Sequence, residues 1–227
     1  MTADDGPDDL GGILDLADWR RTIAALYADV RRIGATDPGA ALALWRTTRE
    51  TLFRDHPQSP VPESERGTFR ARHFEHDPGL RFEVHVDPPA TGGPPSPPGL
   101  GSLGGLAIQL PVSAGGAMAF DRIGSVAVPF AEGTRRLELY WMTGYAGGLF
   151  LPFRDATNGA ETYGAGRYLL DAAKSADLGA GHEPGSLVLD FNFAFQPSCA
   201  FDPRFACPLS PPANRLDLPI RGGERLT

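Results

Sequence analysis

The chain has 227 residues, 41% of them hydrophobic and 22% charged, with 28 glycines and 22 prolines. That is enough for one sizeable core, and it excludes a wholly disordered or collagen-like chain. A formal charge of −7 with no basic stripe excludes nucleic acid as a partner, and no apolar run reaches the roughly 18–20 residues that span a bilayer, so no membrane partner is expected.

Residues 1–14 read as a disordered acidic lead without the basic and apolar regions of a signal peptide, so a cytoplasmic location is expected. Residues 15–33 form the first predicted helix. Leu16, Trp19, Ile23, Leu26, Tyr27 and Val30 recur at three- and four-residue steps, Asp15 caps the start, and Gly34 stops it. A second helix is predicted over residues 38–54, capped by Asp37 with Pro38 in its first turn. His56-Pro57-Gln58-Ser59-Pro60 then forces an extended segment.

After that segment the period changes. RFEVHVD, residues 81–87, alternates as a strand, and residues 88–105 form a flexible Pro/Gly-rich loop. Further strands are predicted over residues 107–111, 125–130, 136–142, 148–155, 161–169 and 187–195, with one or two helical turns within 170–178. Helices first and strands afterwards predict an α+β fold. N-terminal helices pack on a curved, mostly antiparallel sheet approaching a β-barrel or sandwich, and residues 15–227 make a single domain.

The segment FRDATNGAETYGAGRYLL, residues 153–170, is the densest in polar chemistry. Asn158-Gly159 is a two-residue hairpin signal, which sets Asp155 opposite Thr162, Arg154 opposite Tyr163 and Phe150 opposite Arg167. On that register Arg154, Tyr163 and Arg167 share a face, and guanidinium forks suit carboxylate or phosphate oxygens. The following strand adds Asp190 and Asn192, with Arg167 as the expected partner of Asp190. The rival reading makes these groups a buried ion-pair network that fixes the sheet.

Cys199 and Cys207 are not spaced as a zinc knuckle. Buried thiols, a disulfide, and a metal ligand or nucleophile are the three readings open to them. His73 and His76 need a helical turn to share a metal, and their surroundings read as extended, so no metal and no cofactor is expected. Lys174 is the only lysine and lies in a polar stretch, which argues against a Schiff-base mechanism.

Several short patterns occur together: Phe153-Arg154-Asp155, Thr162-Tyr163-Gly164, Gly166-Arg167-Tyr168, Asp190-Phe191-Asn192, Cys199, Cys207-Pro208 and Asn214. In this combination the chain resembles the bacterial and archaeal family called domain of unknown function 1684, over about residues 15–225. The resemblance implies a shared fold and a shared polar constellation, and it brings no established activity. Where many members carry Tyr near the first cysteine, this chain has Phe195 and Phe201.

The expected function is recognition of a small anionic molecule, a carboxylate or phosphate, in a polar barrel pocket. Arg154, Arg167, Asn192 and Asp155 bind the ligand. In an enzymatic version Asp190 is the base, and Tyr163 donates to developing charge. The alternative is a non-catalytic interaction or structural module whose Arg/Asp network only stabilises the fold.

Overall fold

The computed structural model describes residues 8–89, 106–144 and 147–226. The start of the acidic lead and nearly all of the Pro/Gly-rich loop expected over 88–105 lie outside the described residues. The chain divides into two compact units, Met1–Arg70 and Ala71–Thr227.

The first unit is helical: α1 (Asp8–Gly34), α2 (Pro38–Asp55) and the short α3 (Glu63–Arg66). Helix α1 starts ahead of the expected cap at Asp15. The helix runs through Gly11 and Gly12 despite the low helix propensity of glycine. The cap of α2 is as expected: Asp37 Oδ1 accepts from the Ala40 amide at 2.9 Å, with Pro38 in the first turn. Ile23, Leu26, Tyr27 and Val30 of α1 are buried, as are Leu42, Trp45, Leu52 and Phe53 of α2. The Trp45 indole donates to the Tyr27 hydroxyl at 3.1 Å, so the one polar atom of this buried ring is satisfied. The Arg49 guanidinium lies 4.9 Å and 4.8 Å from the ring centres of Trp45 and Phe53.

The second unit holds the strands: β1 (Arg72–His73), β2 (Arg81–Asp87), β3 (Leu106–Pro111), β4 (Ala117–Phe130), β5 (Gly133–Met142), β6 (Gly148–Phe153), β7 (Arg167–Asp171), β8 (Ser186–Asp190) and β9 (Glu224–Arg225). Seven of them form one sheet in the order β7-β6-β5-β4-β2-β8, with β3 also on β4, and β1 pairs with β9. Every pairing is antiparallel.

Strand β4 explains the curl. One half of it pairs with β3, whereas Ser125 and Val126 pair with β2. The changeover falls beside an irregularity between Arg122 and Gly124 on the β5 side. At Gly124 a Cβ would lie 2.5 Å from the Asp87 carbonyl oxygen, so only glycine lets β2 approach so closely. Such irregularities bend and twist a strand, and the sheet curls into a half-barrel. The fold is therefore α+β with a barrel-like sheet.

Two rows of aromatic rings run through a largely aliphatic core. Phe82, Phe130 and Phe153 each pack against Phe191, with centroids 5.2–6.1 Å apart. A second row runs Phe120–Phe150–Tyr168–Phe195. Edge-to-face geometry in both rows adds about 0.5–1.5 kcal/mol per pair beyond area burial.

Candidate functional site

The loop between β6 and β7 differs from the hairpin expected at Asn158-Gly159. Strand β6 ends at Phe153 and β7 begins at Arg167. In between, side chains capture the backbone. Asn158 Oδ1 accepts from the Asp155 amide at 2.6 Å, and its Nδ2 donates to the Thr162 hydroxyl at 3.0 Å and the Tyr163 carbonyl at 2.8 Å. Asp155 Oδ1 accepts from the amide and hydroxyl of Thr157 at 2.9 Å and 2.5 Å. These local bonds compete with ladder pairing and win.

Register changes as a result. Phe153 faces Arg167 and Phe150 faces Asp171, with a shift between Leu151 and Pro152. The expected pairs Arg154–Tyr163 and Phe150–Arg167 do not form. Opposed residues of an antiparallel pair share a face, so Arg167 lies with Phe153, whose ring centre is 5.2 Å from the guanidinium carbon. Gly166, at φ +106°, sits against the Phe153 carbonyl oxygen, 2.5 Å from where a Cβ would be.

The side chains of Arg167 and Asp155 are both 0% exposed, and they pair at 2.8 Å. Arg167 Nη2 donates to Asp155 and, at 2.7 Å, to the Ile220 carbonyl. Nη1 donates to the carbonyls of Gly222 and Glu224. The second oxygen of Asp155 also accepts from the Ile220 amide at 3.1 Å. Only Nε lacks a partner among the described residues. Burial pushes Arg167 below the ordinary arginine range, and the Asp155 charge opposes that shift. The pair therefore clasps the chain's last residues against β7.

The other predicted residues fall into separate bonding groups. Asp190 does not pair with Arg167. Its Oδ1 accepts from the Asn192 amide at 3.0 Å and the Asn192 side chain at 2.8 Å, and its Oδ2 lies 3.5 Å from Arg81 Nη1. The first of those bonds caps a 3-10 turn, Phe191–Phe193, which ends β8 at Asp190 instead of letting a strand run to residue 195. Burial raises the Asp190 carboxyl above its usual range, and the Asn192 bonds pull the other way. Asn192 is itself spent, donating to the Asp77 carbonyl and accepting from the Asp77 amide.

Arg154 is part-buried and donates to the Gly164 carbonyl at 2.8 Å. Tyr163 turns toward the cysteines. Burial first, and then a hydrogen bond to Cys199, push its phenol up to about 12.

Cys199 and Cys207 are both free thiols, 7% exposed. The Cys199 amide donates to Cys207 Sγ at 3.3 Å. A bond from the Cys207 thiol holds the Cys199 thiol well below the ordinary range, aided by Ser113, Tyr163 and the charge of Lys174 against the cost of burial. The same bond pushes Cys207 up. Lys174, in its polar stretch, is half-buried. It donates to the Ser198 hydroxyl at 3.2 Å and lies 5.6 Å from the Phe195 ring centre.

Sequence reasoning missed Gln196, Glu224 and Ser113. Gln196 accepts from the Tyr163 amide and donates to the Arg225 carbonyl, and Glu224 accepts from the Gln196 amide. Ser113 accepts from the Cys207 amide at 3.0 Å. All join irregular segments far apart in sequence, where no periodicity reports contact. Among the described residues no group of three or more His, Cys, Asp or Glu is placed to hold a metal ion, and no helix is long and apolar enough to cross a membrane.

A search of curated proteins returned no match. Among solved structures, the chain is similar to the solution NMR structure of an uncharacterized protein of Haloarcula marismortui. Identity is 29% and the TM-score 0.57, covering 85% of this chain and 96% of that one. Residues 71–225, nearly the whole of the second unit with its clasp and its two cysteines, match the family described as protein of unknown function DUF1684, and the chain belongs to that family.

Proposed function

We propose that the chain is a non-catalytic structural or interaction module in which Arg167, Asp155, Asp190 and Asn192 hold the fold and receive no ligand. One observation carries this reading: the Arg167–Asp155 pair has no exposed side-chain surface, and both η-nitrogens are committed to Asp155 and three main-chain carbonyls. Recognising a carboxylate or phosphate takes free guanidinium donors facing an opening. Asp190, bonded twice to Asn192 and close to Arg81, is likewise committed to its own turn.

The test is a thermal-shift screen of small carboxylates, phosphates and divalent cations on the parent chain, on Arg167→Ala and on Arg154→Ala. Ligands that bind only the folded state raise Tm by mass action. We expect no compound to raise the parent's Tm, and Arg167→Ala to melt well below it. A compound that stabilises the parent but not Arg154→Ala would establish the anion-binding reading instead.

A further inference from the structure

Cys199 and Cys207 stand apart from the clasp and have surroundings of their own. Seven residues separate the two along one loop, and both ends of that loop are anchored. Cys199 lies in the 3-10 turn Ser198–Ala200. At the other end the Cys207 amide donates to the Ser113 hydroxyl, the Cys207 carbonyl accepts from the Ser113 amide at 2.9 Å, and the Pro208 carbonyl accepts from the Tyr168 hydroxyl. The anchors leave Cys207 Sγ 3.3 Å from the main-chain nitrogen of Cys199, with the two thiols hydrogen-bonded to each other. Sulfurs in hydrogen-bond contact are the starting point for closure to an S–S bond of about 2.05 Å.

The neighbours are unequal. The Tyr163 hydroxyl and the Cys207 thiol donate toward Cys199 sulfur, Ser113 lies beside it with its hydroxyl hydrogen on the Phe205 carbonyl at 3.0 Å, and Lys174, the chain's only lysine, adds positive charge. Thiolate stabilised by donors and a cation marks the attacking member of a dithiol pair.

We infer that Cys199 and Cys207 form a thiol–disulfide exchange site for low-molecular-weight disulfides, with Cys199 as the attacking sulfur and Cys207 as the resolving one. Cys199 thiolate attacks one sulfur of a small disulfide RSSR. A protein–SR bond forms, the S–S bond of RSSR breaks, and RS⁻ leaves and takes a proton from solvent. Cys207 then gives up its proton to solvent and attacks Cys199 Sγ, expelling the second RS⁻. The protein dithiol loses two electrons and two protons, and RSSR gains them as two RSH. At 7% exposure both cysteines are buried, so a small disulfide is the candidate partner and larger thiols are kept from the product.

The test treats the full chain with oxidised glutathione and follows intact mass and free-thiol content. We expect the parent to lose two hydrogens and both free thiols without retaining glutathione. Cys207→Ser should stop at a stable mixed disulfide on Cys199, and Cys199→Ser should react at least about tenfold more slowly. Iodoacetamide labelling of Cys207→Ser against pH should place the Cys199 midpoint below the value of about 8.5 for a free cysteine. Tyr163→Phe should move that midpoint upward while leaving the circular dichroism spectrum unchanged, which a purely structural role for the phenol does not predict. The inference is overturned if the parent accumulates glutathione on either cysteine without closing, or if both single variants react at the parent's rate. It is also overturned if oxidised glutathione leaves the parent's thiols untouched.

Discussion

Gly223 shows how little freedom the clasp leaves to a single position. Its φ is +77°, and a Cβ there would sit 2.1 Å from the Ala194 carbonyl oxygen. Its neighbours Gly222 and Glu224 supply carbonyls to Arg167, and its own carbonyl accepts from the Phe74 amide. Gly223→Ala therefore strains the backbone and pushes apart the segments that Arg167 joins. The strain alone costs about 1–3 kcal/mol, and for a chain of this length each kcal/mol lowers Tm by about 2–4 °C. Thermal denaturation followed by circular dichroism should show Tm falling by several degrees, and an unchanged Tm would contradict the account. By contrast, Arg221 pairs with Glu161 at 2.9 Å on an exposed surface. Solvent screens such an exposed pair, so its removal should be barely measurable.

At the scale of elements, one contact joins β2 to the turn ahead of β8. The Glu83 carboxylate accepts from the ring of His182, from the amides of His182 and Glu183, and from the Ser186 hydroxyl. The His182 ring bond foremost, with the two amides and the hydroxyl, pulls Glu83 down to about 2, and Glu83 raises His182 above the ordinary imidazole value. A lowered acid stabilises fully above its unfolded pKa and is lost as pH falls through the folded one. A raised base stabilises fully below its unfolded pKa and is lost as pH rises through the folded one. The contact is therefore complete between about pH 4.5 and 6.5 and weakens on either side. An NMR titration of the His182 ring should give a pKa above 6.5 in the parent and close to 6.5 in Glu83→Gln. Equal values in the two would refute the contact.

The elements also show what the sequence makes legible. RFEVHVD alternates cleanly and is strand β2 to the residue, and Asp37-Pro38 opens α2 as capping chemistry requires. Propensity and period act within such segments, so local reading succeeds. It fails over residues 154–166 and past Asp190, where Asp155, Asn158 and Asp190 side chains bond to nearby backbone and end the strands. Period-two arithmetic has no term for that competition. Both arginines and both aspartates were visible as candidate residues. Their partners were not, because a three-residue displacement in register moves a side chain to the other face of a sheet. The closeness of Cys199 to Tyr163, Ser113 and Lys174 was equally hidden, since it depends on how three irregular segments meet.

Across the second unit as a whole, Arg167 and Asp155 bind three separate parts of the chain: the loop after β6, the start of β7 and the final residues from Ile220 to Glu224. Hydrophobic replacement of a buried pair is often neutral elsewhere. Here it would also strand three carbonyls, the Ile220 amide and the Thr157 donors, so neither partner is replaceable by a hydrophobe. The most direct test is urea unfolding of the parent, Arg167→Ala, Asp155→Ala and the double variant. The account predicts that each single change costs about 3–5 kcal/mol and that the double costs clearly less than their sum. Single changes that each cost under about 1 kcal/mol, as at an exposed pair, and that add without coupling would contradict it.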